Sequence, residues 1–566
     1  MTKSNLIQLS INYGGHDTSA ALSIGNEIVC ATEQERYDLN KHSRSFPIDA
    51  INDCLKISNK KLSDIDNIIL SDEINTDIYT NYIDEIKNFN LVSRIKNYNE
   101  YEDYVRKQLN FKGKIYKYNH HLCHLASTYY PSGFENALII SLDGVGQFET
   151  GMLGIGRRGF ISIQDIRIFF PHSLGLIYSA ITFFLGWKHH CDEGIVMGLA
   201  PYGDPYEIVP GQSKSYIDFF RETIIENKFS SFEINTEWIA YHIKRNVWVS
   251  DKFKSVFGNK RHFDDKIETH HKNIAAALQL RLEEVVLSQL KKFRKKFKLD
   301  KLCIAGGVGL NCSLNGKILK EETFKEIFVQ PASGDSGLVL GVLYLAIKNN
   351  CKKKELQIKK RYNHYLGSGF SNKEEEFCLK KNKITYRKYQ NVFKVAANYL
   401  KEGKIVAWFQ GRSEFGPRAL GNRSILCKPY PAKIKDYLNN KVKFRENFRP
   451  FAPAVLLEKC KEYFNISQET PHMLISSQVK ENKFNFIPAV VHVDLSCGVQ
   501  TVSKETNLRF YKLINEFYKL TTCPVILNTS FNIKGQTIVN DPDQAIKTFL
   551  KTKIDVLVLG DYIAVK

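Results

Sequence analysis

The chain has 566 residues, of which 43% are hydrophobic, 12% aromatic and 25% charged; this excludes a disordered polymer and is too long for one ordinary core, so two large domains are expected. Eighty Lys and Arg oppose 60 Asp and Glu, a net charge of +20, which favours acidic partners such as nucleotides, nucleic acids or anionic glycans, although lysine-rich solvated faces give the same excess. No run of about 18 apolar residues marks a membrane span, the start MTKSNLIQLSINYGG has no signal-peptide core, and the twelve cysteines form no CxxC pair, so reduced thiols and a cytoplasmic location are expected.

Leu6 to Val29 alternates apolar and small residues around Gly14-Gly15 and reads as a β-hairpin. Leu138 to Ile161 superposes on it without a gap, Ser141 on Ser10 and Gly156 on Gly25, so two related lobes are expected. Asn273–Phe297 has helical apolar spacing and is followed by a buried strand, Lys301–Ala305. A polar, lysine-rich stretch suggests a linker at 351–362 between domains 1–350 and 363–566. In the second domain a helix near Val395–Leu400 and strands at Ile405–Phe409, Pro524–Asn528 and Val556–Leu559 are expected.

Three constellations carry chemistry. His120 and His124 are four residues apart, on one face of a helix if the segment is helical, and Asp143 in Leu142-Asp143-Gly144 could add an oxygen ligand. Two imidazoles with one or two carboxylates suit Fe(II), Mn(II) or Zn(II). Gly306, Gly307 and Asn311 lie in a glycine-rich turn after a strand, where backbone amides can approach phosphates. Asp335, in the turn Ser333-Gly334-Asp335-Ser336-Gly337, is a further metal or nucleotide ligand candidate. The segment GRSEFGPRALGNRS from Gly411, with RPFAP from Arg449, places several guanidiniums on loops fixed by Gly and Pro, as a site for many phosphate oxygens requires.

With these blocks, together with Gly15-His16-Asp17-Thr18-Ser19, Glu35-Arg36, Lys41-His42, Val196-Met197-Gly198-Leu199 and Leu527-Asn528-Thr529-Ser530, the chain resembles the nodulation-protein-U/O-carbamoyltransferase family nearly end to end. The resemblance implies an α/β protein: an N-terminal ASKHA (actin-like) domain with duplicated lobes, similar to the tRNA threonylcarbamoyl-transferase, and a C-terminal YrdC-like domain. It implies that the second domain converts carbamoyl phosphate and ATP to a carbamoyl-adenylate, and that the first passes the carbamoyl group to an acceptor hydroxyl. The implied metal ligands are His120, His124, Asp143 and Asp335, with Fe(II) the expected ion and Mg(II) accompanying ATP. Gly144, Gly306, Gly307 and Asn311 would meet the adenylate, and Arg418, Arg449 and Asn528 the carbamoyl phosphate. His16, of a type suited to a general base near neutral pH, and Lys41 would lie by the transferring carbonyl. No membrane partner is expected, and a homodimer fits the resemblance.

One position departs from the pattern: Gly498 stands where HVDxxxRxQTV would carry an arginine, and Lys504 or Arg509 is the expected substitute. The acceptor alcohol is read as a small-molecule or sugar hydroxyl or a hydroxymethylated base of DNA, and its specificity is expected in Gly203–His270, rich in aromatic and basic residues such as Trp238 and Trp248. The competing readings are a tRNA-modifying carbamoyl-type transferase and an inactive nucleotide-binding homologue.

Overall fold

Segments in which nearly every residue is apolar or small, as in IQLSIN and SAALSI, form strands covered on both faces. They pair as antiparallel β1 (Ile7–Asn12) and β2 (Ser19–Ile24), with Leu9 opposite Leu22. The protein was analysed as a computed structural model that describes residues 5–71, 100–227, 231–244, 246–350 and 363–566. With β3 (Glu27–Glu33), β4 (Asn67–Leu70) and β5 (Lys114–Lys117) the first sheet has the order β3-β2-β1-β4-β5, and β1/β4 and β4/β5 are parallel.

The second sheet repeats this plan. It is built from β6 (Asn136–Gly146), β7 (Glu149–Arg157), β8 (Phe160–Phe169), β9 (Lys301–Ala305) and β10 (Glu326–Val329), in the order β8-β7-β6-β9-β10. Here too the first strand is antiparallel to the second and parallel to the fourth, and the fourth is parallel to the fifth. The two expected hairpins are thus the corresponding parts of two lobes with one topology. Between them, Asn119 caps α1 (His120–Tyr129) by accepting from the Leu122 amide at 2.9 Å. Three further helices complete this part: α2 (Leu174–Phe184), α3 (Thr269–Phe297) and α4 (Leu338–Asn350).

The second part has one eight-stranded mixed sheet. Its strands are β11 (Arg387–Lys388), β12 (Val406–Phe409), β13 (Arg423–Cys427), β14 (Ala452–Leu456), β15 (Gln500–Val502), β16 (Val525–Ser530), β17 (Val556–Leu559) and β18 (Tyr562–Val565), ordered β11-β18-β17-β12-β13-β16-β14-β15. Its middle strands β12, β13 and β17 are buried along their whole length, and α5 (Val392–Glu402) and α6 (Leu508–Thr521) bury apolar faces such as Leu400 and Phe517.

The chain divides into two compact units, but not where a single cut would place them. The first contains residues 1–29 and 58–362; the second contains Cys30–Ile57 with Asn363–Lys566. The expectation that 1–350 forms one domain is corrected here: Cys30–Ile57 packs as part of the second unit, its Ala31 amide donating to the Leu366 carbonyl at 3.1 Å. The linker expected at 351–362 lies outside the described residues. Among the described residues no cysteine forms a disulfide, and no helix is long and apolar enough to cross a membrane.

Candidate functional site

In the first unit, α1 starts at the cap Asn119, so His120 and His124 lie one turn apart on the face that meets β6. Both are buried, with Nε2 atoms 3.1 Å apart. Asp143 on β6 brings Oδ2 to 3.4 Å from each. Asp335 brings Oδ1 to 3.6 and 3.7 Å. One ligand atom from each of the four residues falls within a common 4.8 Å. Donors about 2.1 Å from one ion sit about 3.0 Å apart at octahedral angles and about 3.4 Å apart at tetrahedral ones. These edges therefore fit a single divalent ion held by nitrogen and oxygen.

The neighbours explain the aim of each ligand. Gly146 leaves the space that the His120 ring fills, since a Cβ there would lie 2.0 Å from the ring. Gly306 adopts φ +87° and passes so close to Leu142 that a Cβ would lie 2.1 Å from its carbonyl. That approach brings the Gly307 amide to Asp143 Oδ1 at 2.8 Å and leaves Oδ2 for the histidines. The glycine turn expected to cradle phosphate thus engages a carboxylate of this cluster. Asn311, expected at the nucleotide, caps a helix through Leu314 and pairs its amide with Gln279. Gly144 has only an ordinary contact with Leu176, and its carbonyl, like that of Asp143, accepts from Ser173 Oγ.

His121, between the two cluster histidines, plays a different part. Its ring nitrogens meet Ser141 Oγ at 2.8 Å and the Glu149 carbonyl at 2.9 Å, and burial together with the charges of His120 and His124 pushes its pKa down to about 3. His16 extends the cluster outward, with Nε2 4.0 Å from Asp335 Oδ2 and Nδ1 2.8 Å from Asp17 Oδ2. Burial opposes its protonation, but Asp335, Asp17 and Asp143 outweigh it and hold the pKa up to about 9.

The second unit gathers cations. Buried Lys443 donates to the carbonyls of Ser530 and Asn532 at 2.8 and 2.9 Å and to Asn532 Oδ1 at 2.6 Å. Burial, then the charges of Arg445, Arg449 and Lys41, push its pKa far below the usual lysine value. Arg445 is depressed in the same way by burial and by Arg449, with Glu446 opposing, while Asn439 accepts its Nε at 2.7 Å. Four cations repelling one another in a buried setting are the arrangement that a polyanion relieves. Lys41, expected beside His16, belongs to this unit and this cluster.

The Carbamoyltransferase N-terminus family model matches residues 8–343, and the Carbamoyltransferase C-terminus model matches residues 397–566. The chain belongs to the carbamoyltransferase family. Among its relatives, an uncharacterized protein of Synechocystis sp. is 35% identical over 99% of this chain and 96% of its own length. Nodulation protein NolNO of Sinorhizobium fredii is 35% identical over 97% of this chain and 79% of its own. The 3'-hydroxymethylcephem-O-carbamoyltransferase of Streptomyces clavuligerus is 33% identical over 46% of this chain and 48% of its own. Component A of the (R)-2-hydroxyglutaryl-CoA dehydratase of Acidaminococcus fermentans aligns with a TM-score of 0.34 and 13% identity, over 61% of this chain and 99% of that one, too slight a likeness to carry an argument.

In this carbamoyltransferase the loop bearing Arg418 is pinned on both sides. Glu33 accepts the Gly416 amide at 3.0 Å and the Arg36 Nε at 2.8 Å, and Arg36 donates to the Gly416 carbonyl at 2.8 Å. Glu414 Oε1 accepts from the Leu420 and Asn422 amides, both at 2.7 Å. Neither this role of the Glu33–Arg36 pair nor that of Glu414 was legible, because each depends on residues distant in sequence or on a loop's tertiary path. Beside the loop, Asn528 Nδ2 donates to the Ala419 carbonyl and to Gln500 Oε1. Asn528 Oδ1 and Arg418 Nε are buried with no hydrogen-bond partner among the described residues, so an acceptor and a donor remain for a ligand. Gly498 pairs with Ser476 in a short ladder. Arg509, one expected substitute, is instead tied to Asp561 Oδ1 at 3.0 Å and to the Gly560 carbonyl; Lys504, the other, lies over the Tyr511 ring.

Two neutral imidazoles are packed in the same unit. The rings of His364 and His472 are perpendicular, 4.9 Å between centroids. Burial lowers His364 well below 6.5 and His472 to about 3. A base depressed on folding takes up its proton only in the unfolded chain, so stability falls as pH drops below about 6.5 and keeps falling until the folded pKa is reached. Between pH 7 and 5 each such group costs roughly 2 kcal/mol. Denaturant titrations at both pH values should therefore show a pH-dependent loss smaller by about that amount in His472→Phe than in the natural chain.

Proposed function

We propose that this protein is a cytoplasmic, ATP-dependent O-carbamoyltransferase working in two steps. The second unit, read as YrdC-like, binds carbamoyl phosphate and ATP. Water and carbamoyl phosphate give carbamate and phosphate, and the carbamate oxygen then attacks the ATP α-phosphorus, releasing pyrophosphate and leaving carbamoyl-adenylate. The first unit, read as ASKHA-type, moves the carbamoyl group to an alcohol and frees AMP. The observation that carries this reading is the buried cluster of Lys41, Lys443, Arg445 and Arg449, whose mutual repulsion suits a site for several phosphates. Arg418 Nε and Asn528 Oδ1 are the groups left to hold the small donor.

In the transfer site a divalent metal, Fe(II) by resemblance, would be held by His120, His124, Asp143 and Asp335, supplying a Lewis acid for the carbamoyl carbonyl. Asp17 fixes the His16 tautomer by accepting Nδ1–H, which leaves Nε2 to receive the acceptor's proton. The carboxylates that hold His16 protonated are the proposed metal ligands, so their charge is answered in the loaded site. The test is pyrophosphate release from ATP with and without carbamoyl phosphate. Release only when both are present is expected; ATP left intact in the presence of carbamoyl phosphate overturns the reading.

A further inference from the structure

Outside the metal cluster, the first unit carries a wall of half-buried rings that begins at His16. His16 and His190 stack with centroids 5.7 Å apart and planes 28° apart. Beyond them His190 meets His189 at 4.9 Å and Trp248 at 5.3 Å, while His189 meets Trp248 at 4.4 Å and Phe183 at 5.6 Å. The wall is held deliberately. His190 adopts φ 56°, a conformation that costs an L-residue energy and persists only when its surroundings enforce it. Here Glu193 Oε1 accepts the His190 amide at 2.6 Å and Ser179 Oγ at 2.5 Å. The turn at His190 thus sets its ring against His16.

We propose that this wall is the acceptor subsite, and that its occupant is a neutral, puckered, polyhydroxylated ring: a sugar. The inference rests on the two-step reading above and deepens it. A planar base fits a slot between parallel rings. The rings beyond His190 instead meet at 82°, 66°, 43° and 68°, and the one near-parallel pair, His16 and His190, is too close to admit another ring between them. A faceted wall of this kind matches the C–H face of a puckered ring, while imidazole nitrogens at its edge can meet hydroxyls. Charge points the same way: Asp17, Asp335 and Glu193 border the wall and repel a phosphate backbone, so the net positive charge of the chain is not expressed here. A sugar seated on Trp248 and His190 would present one hydroxyl to His16. Its oxygen forms the new bond to the carbamoyl carbon, the carbon–oxygen bond to the adenylate phosphate breaks with its electron pair leaving on AMP, and the hydroxyl proton passes to His16 Nε2.

The experiment uses the full chain loaded with Fe(II) and two probe sets: neutral sugars (methyl glucosides and N-acetylglucosamine oligomers) and 5-hydroxymethyluridine, free and within an oligonucleotide. Products gaining one carbamoyl group are read by mass, and binding is read by saturation-transfer NMR, which does not depend on turnover. A sugar that binds and is carbamoylated, with KM raised at least tenfold by Trp248→Ala and largely restored by Trp248→Phe, is the expected result. Modification of the hydroxymethyl base alone, binding of none of the sugars, or a sugar KM unmoved by Trp248→Ala overturns the subsite. Loss of ATP turnover with carbamoyl phosphate in the unaltered protein condemns the two-step reading instead, and the NMR arm still judges the wall.

Discussion

Exchange of His124 for alanine is expected to remove the metal and to lower carbamoyl transfer by about 10³-fold or more, a loss of about 4 kcal/mol in transition-state stabilisation. His124 is wholly buried, and its Nε2 is the point where His120, Asp143 and Asp335 converge within 3.1 to 3.7 Å. Alanine leaves three donors and two carboxylates whose charge has lost a partner, so metal content measured by elemental analysis should fall from one per chain toward zero. Pyrophosphate release from ATP and carbamoyl phosphate should persist, because the cations assigned to that step lie in the other unit. His121→Asn supplies the contrast. His121 sits on the same helix turn, yet Ser141 and Glu149 occupy its nitrogens, so this variant should keep the metal and lose about 1 to 3 kcal/mol of stability. Full transfer activity in His124→Ala, or equal metal loss in His121→Asn, would refute the assignment.

What the sequence revealed and what it hid follow from how local each feature is. The spacing of His120 and His124 needs only one helix turn, and that helix is specified by its own cap, Asn119. The paired hairpins were legible because strand alternation and glycine turns are short-range signals, and the shared strand order extends them to whole lobes. The packing of Cys30–Ile57 with residues more than 300 positions later was not legible, since no local pattern encodes a return of the chain. The same limit placed Lys41 with His16 instead of with Lys443, and named Arg509 as a substitute although Asp561 holds it. The glycine turn at Gly306 was read as a phosphate cradle because its amides appeared available; the partner that takes Gly307, Asp143, lies 164 residues away. Trp248 was singled out in an aromatic-rich segment, but His189, His190 and the left-handed turn that aims them belong to no pattern that composition reveals.

Exchange of Glu414 for glutamine is expected to cost about 3 to 5 kcal/mol of folding stability, the penalty of leaving a buried charge without its counter-charge. Arg423 is completely buried, its guanidinium stacked 3.6 Å from the Phe409 ring centroid and donating to the carbonyls of Gln410, Gly411, Asn422 and Ser368. Burial pulls its pKa down to about 10, against the charges of Glu414 and Glu375. Glu414 also accepts three amides, those of Leu420, Asn422 and Arg423, through one oxygen, while its other oxygen is buried with no partner among the described residues. Glutamine can keep the first oxygen's bonds, but it removes the charge and places an amide NH₂ where no acceptor has been provided. The loss should appear as an earlier denaturant midpoint and, because the same carboxylate fixes the loop behind Arg418, as a higher KM for carbamoyl phosphate. Removing both charges separates electrostatics from loop geometry: Glu414→Gln with Arg423→Met should be less destabilised than the sum of the single changes by at least 1 kcal/mol if the two groups compensate each other in the fold. Strict additivity would mean that Arg423 is stabilised by its four carbonyls alone, and that Glu414 acts only by shaping the loop.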